Sequence, residues 1–259
     1  MTVQHDVWGF VAGFVIATIA SPVGVSGAVF LLPVQLSVFA VPNPQVTPTN
    51  LLYNVLSGPG ALVRYARRGQ LRGPLTRNLL LGSAPGVIIG AILRVYVAED
   101  PTVFKLIAAA VLLPTGLFIA RSTRRTGTRL RIPVSPRTVT LAAFLVGVVG
   151  GIYGIGGGSI LGPILVGSGM AVTVVAPAAL ASTFVTSIAG VVTFAILQLN
   201  TSGSVSPNWP LGIACGLGGL CGGYLGASLQ PRLPERLLRT LLGLLAVSLA
   251  LIYVVQVVS

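Results

Sequence analysis

The residues with the most chemical potential in this sequence are small and uncharged. Six glycines and a proline stand in the stretch GIYGIGGGSILGPIL, Gly151 to Leu165, inside one of the most apolar parts of the chain. Glycines so placed break a helix. A broken helix exposes the backbone N–H groups that open its second piece, and the helix dipole adds partial positive charge there. Gly154, Gly156, Gly157 and Gly158 let those groups turn toward one point and let a ligand approach, while Ser159 adds a hydroxyl donor. An earlier interruption, SPVGVSG, offers Gly24, Ser26 and Gly27 in the same way. The chemistry this suits is the holding of a small anion. The competing reading is a kink with close helix packing; recurrence of the break in both halves of the chain weighs toward a site.

Two polar stripes fit the lining of such a site. Asn50, Asn54 and Ser57 follow the i, i+4, i+7 spacing of one helix face, and Thr183 and Ser187 repeat it later, with Ser182 and Thr186 adjacent. Hydrogen bonding between helices is the simpler reading for Ser57, Ser182 and Thr186. Asn50 and Thr183 hold equivalent places and are read either way. The substrate-binding set is therefore Gly24, Ser26, Gly27, Asn50, Asn54, Gly154, Gly156, Gly157, Gly158, Ser159, Thr183 and Ser187. Alanine at 156–158 is expected to abolish function while folding is retained.

What is missing narrows the chemistry further. Asp6, Glu99, Asp100, Glu235 and His5 all stand outside the apolar interiors, so no carboxylate or imidazole is available for a proton relay there. No nucleophile–base pair and no metal-ligand cluster is present, which argues against an enzyme, a metal site or a cofactor. The glycine run lacks the Lys-Ser/Thr of a phosphate-binding loop, and Ser159 replaces the last glycine of a dinucleotide fingerprint.

The elements that must carry these residues are membrane helices. Of 259 residues 54% are hydrophobic and only 8% charged, and the mean hydropathy is +0.93. A soluble domain carries about a quarter charged residues, so this chain is read as a multi-pass protein of a cell membrane. Met1 to Asp6 has no basic start, so a cleaved signal peptide is not expected. The net charge of +12 comes from basic residues, nearly all Arg, that cluster in short loops, as topology determinants do. Nucleic acid is excluded as a partner; lipid and a small anion remain. Cys215 and Cys221 lie on different faces of one helix and cannot pair.

Apolar runs fall near 7–40, 46–64, 74–97, 102–120, 138–169, 172–197, 209–229 and 236–257. Pro33 matches Pro163, and Gly82, Gly86 and Gly90 mirror Gly218, Gly222 and Gly226. The fold class expected is all-α, one transmembrane domain over 1–259: repeat 1 at about 7–120, a basic loop at 121–137, repeat 2 at about 138–257. Residues 7–40 would form a helix of roughly 50 Å against a hydrocarbon core of about 30 Å. The breaks divide each such segment into pieces of about 13–15 residues, too short to cross alone. If the opening segments re-enter rather than cross, the basic residues divide fourteen against two between the sides, instead of eleven against five. That favours inverted repeats with both termini outside.

The motifs GIGGGSILGPIL from Gly154 and ASTFVTSIAG from Ala181 to Gly190 resemble the second-half signature of the sulfite exporter TauE/SafE family. Pro48-Thr49-Asn50 resembles its small-Thr-Asn pattern; the first break reads SPVGVSGAVFLLP where the family usually carries a glycine run. The resemblance covers nearly the whole chain and implies a duplicated transporter of sulfite, sulfoacetate or related sulfur-containing anions, working through a midplane site formed by the two breaks. Another small solute, a cation held by carbonyls, or a non-catalytic membrane assembly role are the alternatives. The sequence leaves a homo-oligomer open.

Overall fold

A computed structural model describes residues 3–96, 101–122, 135–199 and 206–258. Ordered structure among them is helical throughout: α1 Val3–Ala20, α2 Ala28–Ser37, α3 Asn43–Arg67, α4 Pro74–Tyr96, α5 Pro101–Ser122, α6 Pro136–Tyr153, α7 Gly158–Gly167, α8 Val172–Gln198, α9 Trp209–Leu229 and α10 Glu235–Val258. Six of these, α1, α4, α6, α8, α9 and α10, are long and apolar enough to cross a membrane. Val7, Trp8, Val11 and Val15 on α1, Leu81 and Ile88 on α4, and Leu141 and Leu145 on α6 are exposed. Apolar belts of this kind face lipid. The 121–137 loop and Glu99 and Asp100 fall wholly or largely outside the described residues.

The two opening segments are not halved as expected. α1 and α6 have 18 residues each, and α2 and α7 have 10 each. The reason is local. Pro22 is absorbed into a 3-10 turn, Ser21–Val23, and the chain turns away only at Gly24, whose φ is +78°. α6 likewise ends at Gly154, φ +71°. A left-handed residue of this sort closes a helix cheaply only when it is glycine. The first piece therefore runs nearly the full length of the protein, and only the second, about 15 Å long, is too short to cross.

Packing exchanges elements between the halves. α1 lies on α9 and α6 on α4, α3 on α9 and α8 on α4, and α5 on α10. Side chains at Gly82, Gly86 and Gly90 would collide with the carbonyls of Thr140, Phe144 and Val148, and side chains at Gly218, Gly222 and Gly226 with those of Phe10, Phe14 and Thr18. These glycines admit close backbone approach between helices.

Contacts at helix ends show which ends lie together. His5, at the start of α1, meets Phe39, just past α2, edge to face at 6.0 Å. Gln256 near the end of α10 bonds Ser37 at 3.1 Å, and Asn208 before α9 bonds Thr49 in the first turns of α3 at 2.8 Å. At the opposite end Arg68 after α3 bonds the Ala227 carbonyl of α9, and Glu235 at the start of α10 accepts from the Val172 N–H of α8 at 2.9 Å. Arg239 donates to the Val166 and Met170 carbonyls that close α7. Arg64, Arg67, Arg68, Arg72, Arg77, Arg137, Arg232, Arg236 and Arg239 all gather at this second end.

Candidate functional site

The starts of the two short helices meet. The Ser26 backbone N–H donates to Ser159 Oγ at 3.2 Å, which joins residues 133 positions apart. From this point α2 runs to the end that holds Phe39, and α7 runs to the end that holds Arg239. Their N-termini thus face each other in the middle of the protein, both buried.

Side chains of α3 tie the breaks together. Ser26 Oγ donates to Asn54 Oδ1 and accepts from the Ala28 N–H, so it caps α2. Asn54 Nδ2 reaches the Gly154 carbonyl at 3.3 Å, and Thr47 Oγ1 reaches that of Ile152 at 3.0 Å. Ser159 Oγ also donates to the Ile155 carbonyl. One side chain, Asn54, therefore spans both breaks.

Three of the buried polar residues singled out in the sequence have an atom with no partner in the protein. They are Asn50 through Nδ2, Thr183 through Oγ1 and Ser187 through Oγ, with exposures of 0%, 3% and 0%. A buried donor left unpaired costs about 1–3 kcal/mol, so three of them in one region point to a ligand or water that completes them. Two abut the second break directly: Gly154 faces Asn50, and Gly156 and Gly158 face Thr183, whose Oγ1 is 2.8 Å from where a Gly158 side chain would begin. Ser187 follows one turn after Thr183 on the same face.

The glycines are also packed. A side chain at Gly24 would enter Ala176, at Gly27 the Tyr53 hydroxyl, at Gly156 Thr183, at Gly157 Ser83, and at Gly158 the Ala179 carbonyl. Close packing alone accounts for all of these, so the expectation that alanine at 156–158 leaves folding intact does not hold. Beside the junction lies a cavity of about 20 Å³ bounded by Ser26, Tyr53, Asn54, Ser57, Thr183 and Phe184 among others. That is room for about one water, so the site is closed in this conformation.

Sequence reasoning overlooked Gln35. It is fully buried on α2, donates to Asn50 Oδ1 at 3.0 Å and leaves its own Oε1 unpaired. Its signal was a lone amide inside the apolar run VFLLPVQLSVF. Ser182 and Thr186, assigned to packing, do pack: Ser182 pairs with Ser83 across helices at 2.7 Å, and Thr186 bonds back to its own helix. Arg64 stacks 5.1 Å from the Tyr224 ring at the helix ends. Arg94, in the last turn of α4, is buried and engaged within the protein.

Comparisons with known proteins identify what the chain resembles. The chain is 28% identical over 246 residues to a protein of Sinorhizobium sp. described as "Probable membrane transporter protein ORF9", covering 93% of this chain and 89% of the other. No solved structure matches. The family model "Sulfite exporter TauE/SafE" matches residues 9–253. A match of that extent, over nearly the whole chain, makes the chain a member of the sulfite exporter TauE/SafE family of membrane transporters.

Proposed function

We propose that the protein moves small sulfur-containing anions, such as sulfite, sulfoacetate and related organosulfonates, through the junction of its two breaks. The observation that carries this reading is the bond from Ser26 to Ser159, which sets two helix N-termini head to head. Each such terminus is equivalent to roughly half a positive charge, and Asn50 and Thr183, each with an unpaired group, abut the second break. The description of the family as a sulfite exporter supports the substrate class, and the relative described as a probable membrane transporter supports transport.

The proposed membrane arrangement follows from the end contacts. α1–α2 and α6–α7 form hairpins that enter from opposite sides and return, and α3, α4, α5, α8, α9 and α10 cross. The repeats, about 7–120 and 138–257, are then inverted, with the junction near the midplane. The arginine-rich end faces the cytoplasm by the usual charge bias of loops, which puts both termini outside. The cavity is too small for an oxyanion, so transport requires the helices around it to part.

The test is flux in proteoliposomes holding purified protein, with labelled sulfite, thiosulfate and sulfoacetate against a chloride control. Saturable uptake of a sulfur anion but not chloride is expected. Absence of any such flux from protein shown to be folded would sink the substrate assignment.

A further inference from the structure

We infer that the groove between the starts of α4 and α6 binds one anionic phospholipid whose head group carries hydroxyls, as that of phosphatidylglycerol does. The inference uses only the membrane setting of these two helices and stands whatever the transported solute is.

The helices run side by side in the same direction. Gly82, Gly86 and Gly90 of α4 lie on Thr140, Phe144 and Val148 of α6 in turn. Where the pair begins, at the arginine-rich end, an open groove of about 540 Å³ remains between them. That is within the range of sites that hold an organic ligand, about 300–1,000 Å³. Its walls change character along the helices. At 1.5 Å per residue, Asn78, Arg137 and Thr140 lie within about 6 Å of the starts at Pro74 and Pro136. Leu81, Leu141 and Phe144 lie about 8–12 Å along. Polar groups at the mouth and apolar ones beyond match a phospholipid lying parallel to the helices, with its phosphate at the mouth and its chains on the apolar wall. Leu81 and Leu141, 59% and 61% exposed, offer that wall uncovered by described protein.

Charge selects among lipids. Other arginines at this end are committed: Arg64 lies on Tyr224, Arg68 on the Ala227 carbonyl and Arg239 on Glu235. Arg137 is exposed, and no hydrogen bond or ion pair joins it to a described residue. Its planar fork fits the oxygens of a phosphate. Arg77, also exposed, stands one residue before Asn78 and adds positive charge at the same level. A zwitterionic head group would bring an ammonium beside these arginines and would want a carboxylate near it. The acids among the described residues do not supply one: Asp6 stands at the opposite end, and Glu235 is bonded to Arg239. Thr140 narrows the choice further. Its hydroxyl donates to the Pro136 carbonyl at 3.0 Å, so its oxygen is left to accept. A head-group hydroxyl satisfies that oxygen; a bare phosphate ester does not.

The experiment titrates the purified full chain in detergent with phosphatidylglycerol, phosphatidylcholine or phosphatidylmethanol of the same acyl chains, and counts bound lipid by native mass spectrometry. One phosphatidylglycerol is expected to bind about fivefold more tightly than phosphatidylcholine, the effect of about one basic contact. Arg137→Ala should abolish this preference. Arg232→Ala, which removes an exposed arginine at the same end but outside the groove, should leave it intact. Phosphatidylmethanol, anionic but without a head-group hydroxyl, should bind more weakly than phosphatidylglycerol, and Thr140→Val should make the two equal. Equal affinity of the unaltered chain for phosphatidylglycerol and phosphatidylcholine would overturn the inference. A preference that Arg232→Ala reduces as much as Arg137→Ala would also overturn it, leaving only diffuse attraction. So would a lipid-free dimer that dissociates in Arg137→Ala, since the groove would then belong to a second copy of the chain. Phosphatidylmethanol bound as tightly as phosphatidylglycerol would overturn the head-group assignment.

Discussion

Ser26 and Ser159 stand 133 positions apart and are hydrogen-bonded, the backbone of the first to the hydroxyl of the second, at 3.2 Å. The bond makes the two helix breaks one structure. Asn54 reinforces it from α3 by accepting from Ser26 Oγ and donating to the Gly154 carbonyl. A single buried side chain thus contacts both breaks.

The pair Gln35 and Asn50 offers a direct test of how the lining is held. Gln35→Leu leaves Asn50 Oδ1 without its donor in addition to the unpaired Nδ2. A loss of about 1–3 kcal/mol in unfolding free energy is expected. The double change Gln35→Leu with Asn50→Leu should recover much of that stability and show no flux, since both polar groups are gone together. Unfolding in detergent and vesicle flux report the two effects separately. A double variant that transports normally would remove Asn50 from the site.

Among the glycines, 158 and 162 should behave oppositely. Alanine at 158 would press on the Ala179 carbonyl and the Thr183 hydroxyl, while alanine at 162 meets nothing closer than 3.8 Å. Gly158→Ala should cost about 1–3 kcal/mol or more because backbone must move. Gly162→Ala should be neutral or stabilising by up to about 1 kcal/mol, as expected inside a helix. Equal melting temperatures for the two variants would contradict this packing.

Glu235 ties α10 to the α7–α8 turn. It accepts from the Val172 N–H at 2.9 Å and from Arg239 Nε at 3.2 Å, and it is partly exposed. Glu235→Gln is expected to cost about 1 kcal/mol of stability and to leave the pH profile of flux unchanged, because the residue is structural and remote from the junction. Loss of proton-driven flux in a normally assembled Glu235→Gln protein would instead put a carboxylate in the transport cycle.

Topology can be read with reporters. A fusion after Ser259 should report outside, and one in the turn at 68–73, between α3 and α4, should report cytoplasmic. A cytoplasmic C-terminus would dismiss the inverted hairpin arrangement.

Much of this was legible in the sequence because it depends on short-range chemistry. Composition fixed the membrane class, since 8% charged residues cannot cover a water-facing surface. Left-handed glycines at 24 and 154 marked the breaks, because helix termination is a property of a few adjacent residues. Asn50, Thr183 and Ser187 stood out as polar groups on apolar helices, and each has an atom left unpaired, as does Gln35.

Other features were decided only by tertiary structure. The lengths of α1 and α6 depended on which breaker ends the helix, and a buried turn tolerated Pro22 where sequence alone suggested an end. Gln35 became part of the site only because α2 folds against α3 and brings it to Asn50. That Ser26 meets Ser159 could not be read from either segment, since contact between residues so far apart is set by the packing of whole helices. Local propensity determined where this chain breaks; the burial of its helices against one another determined that the breaks meet.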